Sequence, residues 1–155
     1  MSAQLHPAEP LLAAAPAPRV QHRDHHAIAD AVREAATRGT IVVGLAGIAV
    51  IHAVDSVGKW TETRYMFWMY MALIACALVT AGAVLFTRSR AALLAAGGLA
   101  ASAFAGYVLS RTTGLPSAMD DIGNWTEPLG LASLVVEGCV LALALAAARM
   151  FSSST

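Results

Sequence analysis

Glu137 is the residue whose type and place most need an account. In Leu129-Gly-Leu-Ala-Ser-Leu-Val-Val-Glu-Gly138 it stands well inside an apolar run. A helix rising 1.5 Å per residue would set it about 12 Å below its point of entry. A lone carboxylate at that depth in a bilayer costs at least about 2.5–3.5 kcal/mol, so it must face protein or water and find a partner. The groups expected in the same leaflet are His52, near the end of an earlier apolar run, and Tyr107, Ser110 and Arg111 at the end of another. A cluster of His52, Arg111 and Glu137 could bind a divalent metal, a quinone headgroup or a proton. The alternative is an ion pair or hydrogen bond that locks the helices together. Glu62 and Glu127, from the two loops on that side, complete the candidate binding set.

His52 and Asp55 are three apart and share a helical face, and an imidazole with carboxylates from Glu62 or Glu137 suits zinc, copper or iron. A metal held by His52 and Glu137 is therefore one expectation, although no His-Glu-x-x-His or similar spacing is present. His22, His25 and His26 form a short tract that reads either as a weak metal site or as solvated helix surface. Met66, Met69 and Met71 offer thioethers to copper, or simply fill gaps. Cys76 and Cys139 stand far from any Cys-x-x-Cys pattern and read as buried free thiols. No nucleophile elbow, phosphate loop or dinucleotide fingerprint occurs. Only His52 offers an imidazole inside the apolar runs, which argues against a bis-histidine haem within one subunit.

The elements that must position these groups follow from composition. Of 155 residues, 57% are hydrophobic and 13% charged, against roughly 25% charged in a soluble domain, and the mean hydropathy is +0.63. Ten basic and ten acidic residues leave no net charge, so the basic excess of a nucleic-acid binder is missing. Residues 1–23, rich in Ala and Pro, are expected to be a disordered tail without a cleaved signal. Asp24 is expected to cap a short amphipathic cytoplasmic helix over 24–38. About 20 apolar residues span a hydrocarbon core, and four segments qualify, at about 39–57, 65–87, 91–110 and 129–149. Residues 39–151 therefore predict an all-α transmembrane domain, a four-helix bundle of two hairpins.

Arg19, Arg23, Arg33, Arg38, Arg88, Arg90 and Arg149 fall on one side of these spans, and only Lys59, Arg64 and Arg111 on the other. By the positive-inside rule both termini are expected in the cytoplasm of a bacterial inner-membrane protein. Tyr65, Phe67, Trp68 and Tyr70 then fit an outer aromatic belt. Gly58-Lys-Trp-Thr-Glu62 is echoed by Gly123-Asn-Trp-Thr-Glu127, which reads as a duplicated hairpin or as two similar interfacial turns. Gly98, Ser102 and Gly106 repeat every four residues, a small-residue stripe that predicts close packing within the bundle or against a partner.

The run Leu109-Ser-Arg-Thr-Thr-Gly-Leu-Pro116, followed by Trp125-Thr-Glu-Pro-Leu-Gly130 and an apolar span carrying Glu137, resembles a family of four-helix transmembrane proteins from actinobacteria. The resemblance covers residues 40–150 and implies the topology and a polar cluster in the outer leaflet, with His52 matching a histidine usual at the end of the first span. That family has no assigned activity, and Ser117–Gly123 lacks the extra His and Pro residues of many relatives, so no metal site in that loop is implied. The expected function is a small non-catalytic accessory subunit of a larger membrane complex of respiratory or oxidative type, packed against other subunits or copies of itself and against lipid. The alternative is a binding or transport module for a metal ion, proton or quinone at the His/Arg/Glu cluster.

The charge asymmetry generates a direct test of orientation. With Cys76 and Cys139 replaced by serine, a single cysteine at Asp120 should react with an impermeant thiol reagent added to intact cells. One at Arg90 should react only after the membrane is opened.

Overall fold

Helix α1 runs over Val20–Glu62, α2 over Arg64–Phe86, α3 over Arg90–Thr112 and α4 over Pro128–Ser152, with one 3₁₀ turn at Met119–Asp121. In this computed structural model the backbone is described over residues 20–152 and the side chains over residues 25–150. No strand occurs among the described residues. The four helices are each long and apolar enough to cross a membrane, the pattern of a multi-pass membrane protein. Most of the expected tail lies outside the described residues, but Val20–Arg23 are already helical, so Asp24 sits inside α1 and does not cap it. The chain divides into two units between Val32 and Arg33. The described part of the first is the opening stretch of α1, with Ile28 and Val32 exposed; the second is the four-helix bundle.

Within the bundle, the helices run up and down between a short-turn end, where Thr87–Ser89 join α2 to α3, and a long-loop end, where α1 meets α2 and residues 113–127 join α3 to α4. Each helix buries one stripe. On α1 it is Ile41, Leu45 and Ile48; on α2, Ala77, Ala81 and Val84; on α3, Leu93, Ala96, Gly97 and Ala100; on α4, Val140, Ala144 and Ala147. Spacings of three and four put each set on one helical face. Lipid tails supply no hydrophobic drive for helix association, so small residues that let backbones approach become the main source of contact. The α3 stripe that packs is thus the face next to the expected one. Gly98 has open space around it, whereas Gly97 faces Ala144 and Leu141 of α4.

Two ends are closed by polar caps. At the short-turn end the Arg38 guanidinium donates from α1 to the carbonyls of Val84 and Thr87, satisfying the last turn of α2. Ser89 accepts from the amide of Ala91 to cap α3. Glu34 stands 3.8 Å from both Arg38 and Arg88. The two Gly-x-Trp-Thr-Glu segments differ in conformation. Gly58–Glu62 is the end of α1, while Gly123 has φ +80° and its segment forms the turns before α4. Their likeness is therefore one of sequence only.

One close approach is between α1 and α4, where a Cβ added at Gly44 would overlap Val140. Gly44→Ala should lower stability in detergent by about 1–3 kcal/mol, the range for overpacking, and Val140→Ala in the same chain should restore part of it. Gly82→Ala, placed in open space on α2, serves as the control and should cost nothing in the same thermal or denaturant titration.

Candidate functional site

Toward the long-loop end the buried stripes change character together. The α1 stripe continues to His52, Asp55 and Ser56, and the α2 stripe runs back through Leu73 and Tyr70 to Met66. The α3 stripe continues to Tyr107, Ser110 and Arg111, and the α4 stripe runs back from Val140 to Glu137 and Ser133. His52 lies ten residues before the end of α1 and Glu137 nine after the start of α4, depths of about 15 and 13 Å at 1.5 Å per residue. Matching depth on antiparallel helices is what lets them meet.

Glu137 is fully buried, and its Oε1 lies 3.9 Å from His52 Nε2 and 2.5 Å from the Ser133 hydroxyl, which donates to it. Its other oxygen, Oε2, is buried without a hydrogen-bond partner. His52 Nδ1 lies 2.9 Å from the carbonyl of Ile48. A carbonyl only accepts, so Nδ1 carries the hydrogen and Nε2 is the nitrogen turned toward Glu137. The His52 ring meets the Tyr70 ring edge to face at 5.1 Å.

Arg111 belongs to a different group. Its guanidinium is 2.8 Å from Asp121 Oδ1, is bonded to Glu127, and lies 4.8 Å over the Tyr107 ring. The Arg111 carbonyl accepts from the amide of Gly123. Around this staple the Ser-Arg-Thr-Thr-Gly-Leu-Pro run takes its shape. Gly114 turns the chain at φ +76°, where a Cβ would press on Met119 and Ile122. Pro116 offers its carbonyl to the Tyr65 hydroxyl at 2.6 Å, which ties the loop to α2. Glu127 also accepts the first backbone bond of α4, so one residue both starts α4 and anchors Arg111. Ten residues of helix separate Glu127 from Glu137, about 15 Å. The expected cluster of His52, Arg111 and Glu137 is thus two groups at two depths.

A cavity of about 440 Å³ joins them, within the usual range for ligand sites. Leu73, Cys76 and Leu99 line its deep part, and His52, Asp55, Tyr70, Tyr107, Arg111, Asp121 and Glu127 its upper part. Ser102, Ala103 and Gly106 make room for it on α3. Two members of the expected packing stripe therefore border a cavity. Gly130 does similar work on α4, since a Cβ there would overlap Tyr107. Glu62 stays outside the cavity, exposed and 3.2 Å from Lys59.

Among the described residues no three His, Cys, Asp or Glu side chains converge to hold a metal; His52 and Glu137 offer two donors without a third. His25 and His26 are exposed, and the His22 side chain lies outside the described ones. Cys76 and Cys139 are exposed free thiols on the bundle, not buried ones; Cys76 borders the cavity. Met66 is buried against the cavity and Met69 borders it. Tyr70, Asp121 and Ser133 join the candidate site although their types alone did not single them out. No family model matches the chain, and neither a curated protein nor a solved structure does.

Removing Arg111 would leave two carboxylates facing each other without their cation. Because Asp121 and Glu127 are partly solvated, Arg111→Gln should cost about 2–3 kcal/mol, less than for a fully buried pair. Hydrogen exchange should locate the loosening in residues 113–127 and leave the Ala-rich half of the bundle protected.

Proposed function

We propose that the chain is a non-catalytic membrane binding module that holds a small lipid-soluble molecule with a hydrogen-bonding headgroup, of quinone type, in the cavity at its long-loop end. That end faces outward from a bacterial cytoplasmic membrane in this reading, as the arginine asymmetry requires. The observation that carries the reading is the cavity itself, with an apolar depth and a polar upper wall whose cations are already engaged. Arg111 is matched by Asp121 and Glu127, and Lys59 by Glu62. An anionic ligand would have to break one of these pairs, whereas a neutral headgroup needs only donors and acceptors. Tyr70 and Tyr107 supply hydroxyls, and the Tyr107 hydroxyl is buried with no hydrogen-bond partner. His52 Nε2 supplies an acceptor. A metal ion fits less well, for want of a third donor.

A second reading, a small accessory subunit of a larger respiratory or oxidative complex, is favoured by the outer face of α3. Ala91, Ala95, Gly98 and Ala105 are all exposed and spaced by four, three and seven, a small-residue surface suited to another transmembrane helix. The two readings are compatible, since a subunit can bring a ligand site to a complex.

Both are tested by one purification from native membranes in mild detergent, with organic extraction and mass spectrometry. A lipid-soluble hydrogen-bonding molecule should appear near one per chain. It should be lost from Gly106→Leu, whose new side chain enters the cavity from a position with no atoms in the way. A wild-type protein that carries no such molecule and binds no added short-chain quinone overturns the binding reading. Stoichiometric partner subunits would support the second reading, and a protein always recovered alone would remove it.

A further inference from the structure

We propose that His52 and Glu137 form a one-proton site inside the span, which exchanges its proton with the cavity. The proposal stands on geometry and does not need the cavity to hold any other ligand. Among the described residues Glu137 is the only fully buried one of charged type, and one of its carboxyl oxygens has no hydrogen-bond partner there. The cations nearest the cavity are committed elsewhere, Arg111 to Asp121 and Glu127, and Lys59 to Glu62. Of the titratable and polar groups on the cavity, α1 gives His52, Asp55 and Lys59; α2 gives Tyr70 and Cys76; α3 gives Tyr107 and Arg111; α4 gives the Ser133 hydroxyl. Among the described residues His52 is therefore the one base within ion-pair distance of Glu137.

The Nδ1 hydrogen is fixed by the Ile48 carbonyl, so the exchangeable positions are Nε2 and the carboxyl. With one proton between them the pair is neutral, whether that proton rests on nitrogen or oxygen. Without it the pair carries a buried negative charge, and with two a buried positive one. Either net charge is opposed by the apolar surroundings. The two groups thus hold that proton as a unit. The path is bounded as well: His52 and Ser133 line the cavity and Glu137 does not, so a proton reaching the carboxyl passes the imidazole or the Ser133 hydroxyl bonded to it.

The test uses the whole chain reconstituted in lipid vesicles. Infrared spectroscopy reads the protonated-carboxyl band, with Glu137→Gln to assign it. Nitrogen-15 spectra of labelled histidine read the charge of His52, with His52→Gln to assign it. At about pH 7.5 the occupancies of the two groups should sum to one, whereas independent groups of ordinary acidity would be ionised glutamate and neutral histidine, a sum near zero. A wild-type sample showing neither a protonated carboxyl nor an imidazolium at that pH overturns the proposal, even if both variants fail to fold. In Gly106→Leu the sum should stay at one while hydrogen–deuterium exchange of the shared proton slows at least tenfold. Unchanged exchange would overturn the cavity route.

Discussion

A polar side chain in hydrocarbon has no water to fall back on, so each one inside a membrane bundle must be met by another from the same protein. The long-loop half of this bundle is arranged around that requirement. Glu137 could not be tolerated on a lipid-facing surface, and it lies on the α4 stripe that also holds Val140 and Ala144. Once it points inward, the facing positions on the other helices cannot all be apolar. His52, Tyr70 and Tyr107 occupy them, and the small residues Ser102, Ala103 and Gly106 on α3 leave the cavity beside them. The Ala-rich half and the hollow half thus use small residues in two ways, to pack against the next helix at one end and to leave room beside polar groups at the other.

The loop between α3 and α4 depends on the same economy. Arg111 is almost fully buried at the last turn of its helix, and only carboxylates brought by the loop can satisfy it. Asp121 and Glu127 do so from positions ten and sixteen residues later. The charged pair therefore dictates where the loop must fold back, while Gly114 supplies the turn that makes this possible. What reads in the sequence as a short motif is a staple with a hinge beside it, and the polar upper wall of the cavity is its inner surface.

The helices were legible because apolar length is a strong signal, and the pairing of Glu137 with a group from the first span was legible because few side chains reach that depth. Other features were not. Tyr70 reads as part of an interfacial aromatic cluster, yet Met66, Tyr70, Leu73, Ala77, Ala81 and Val84 follow a spacing of four, three, four, four and three that sets it on the inner face. Ser133, one turn from Glu137, could have been found the same way. Glu62 joins no cluster because α1 runs on to that residue and carries it outward. The packing face of α3 was ambiguous for a physical reason. Alanine, glycine and serine occupy almost every side of that helix, so composition cannot choose between Gly98 and Gly97, and only the neighbour's side chains decide.

Arg38 carries a consequence for biogenesis. The carbonyls it serves, on Val84 and Thr87, belong to a different helix, at a three-residue turn too short to supply donors of its own for them. The α2–α3 hairpin inserted alone would thus leave part of a helix terminus unsatisfied at the membrane boundary. Synthesis from the N terminus puts α1 in place first, so the missing donor is already waiting when α2 emerges. The helix that supplies the donor thus precedes along the chain the helix whose end needs it.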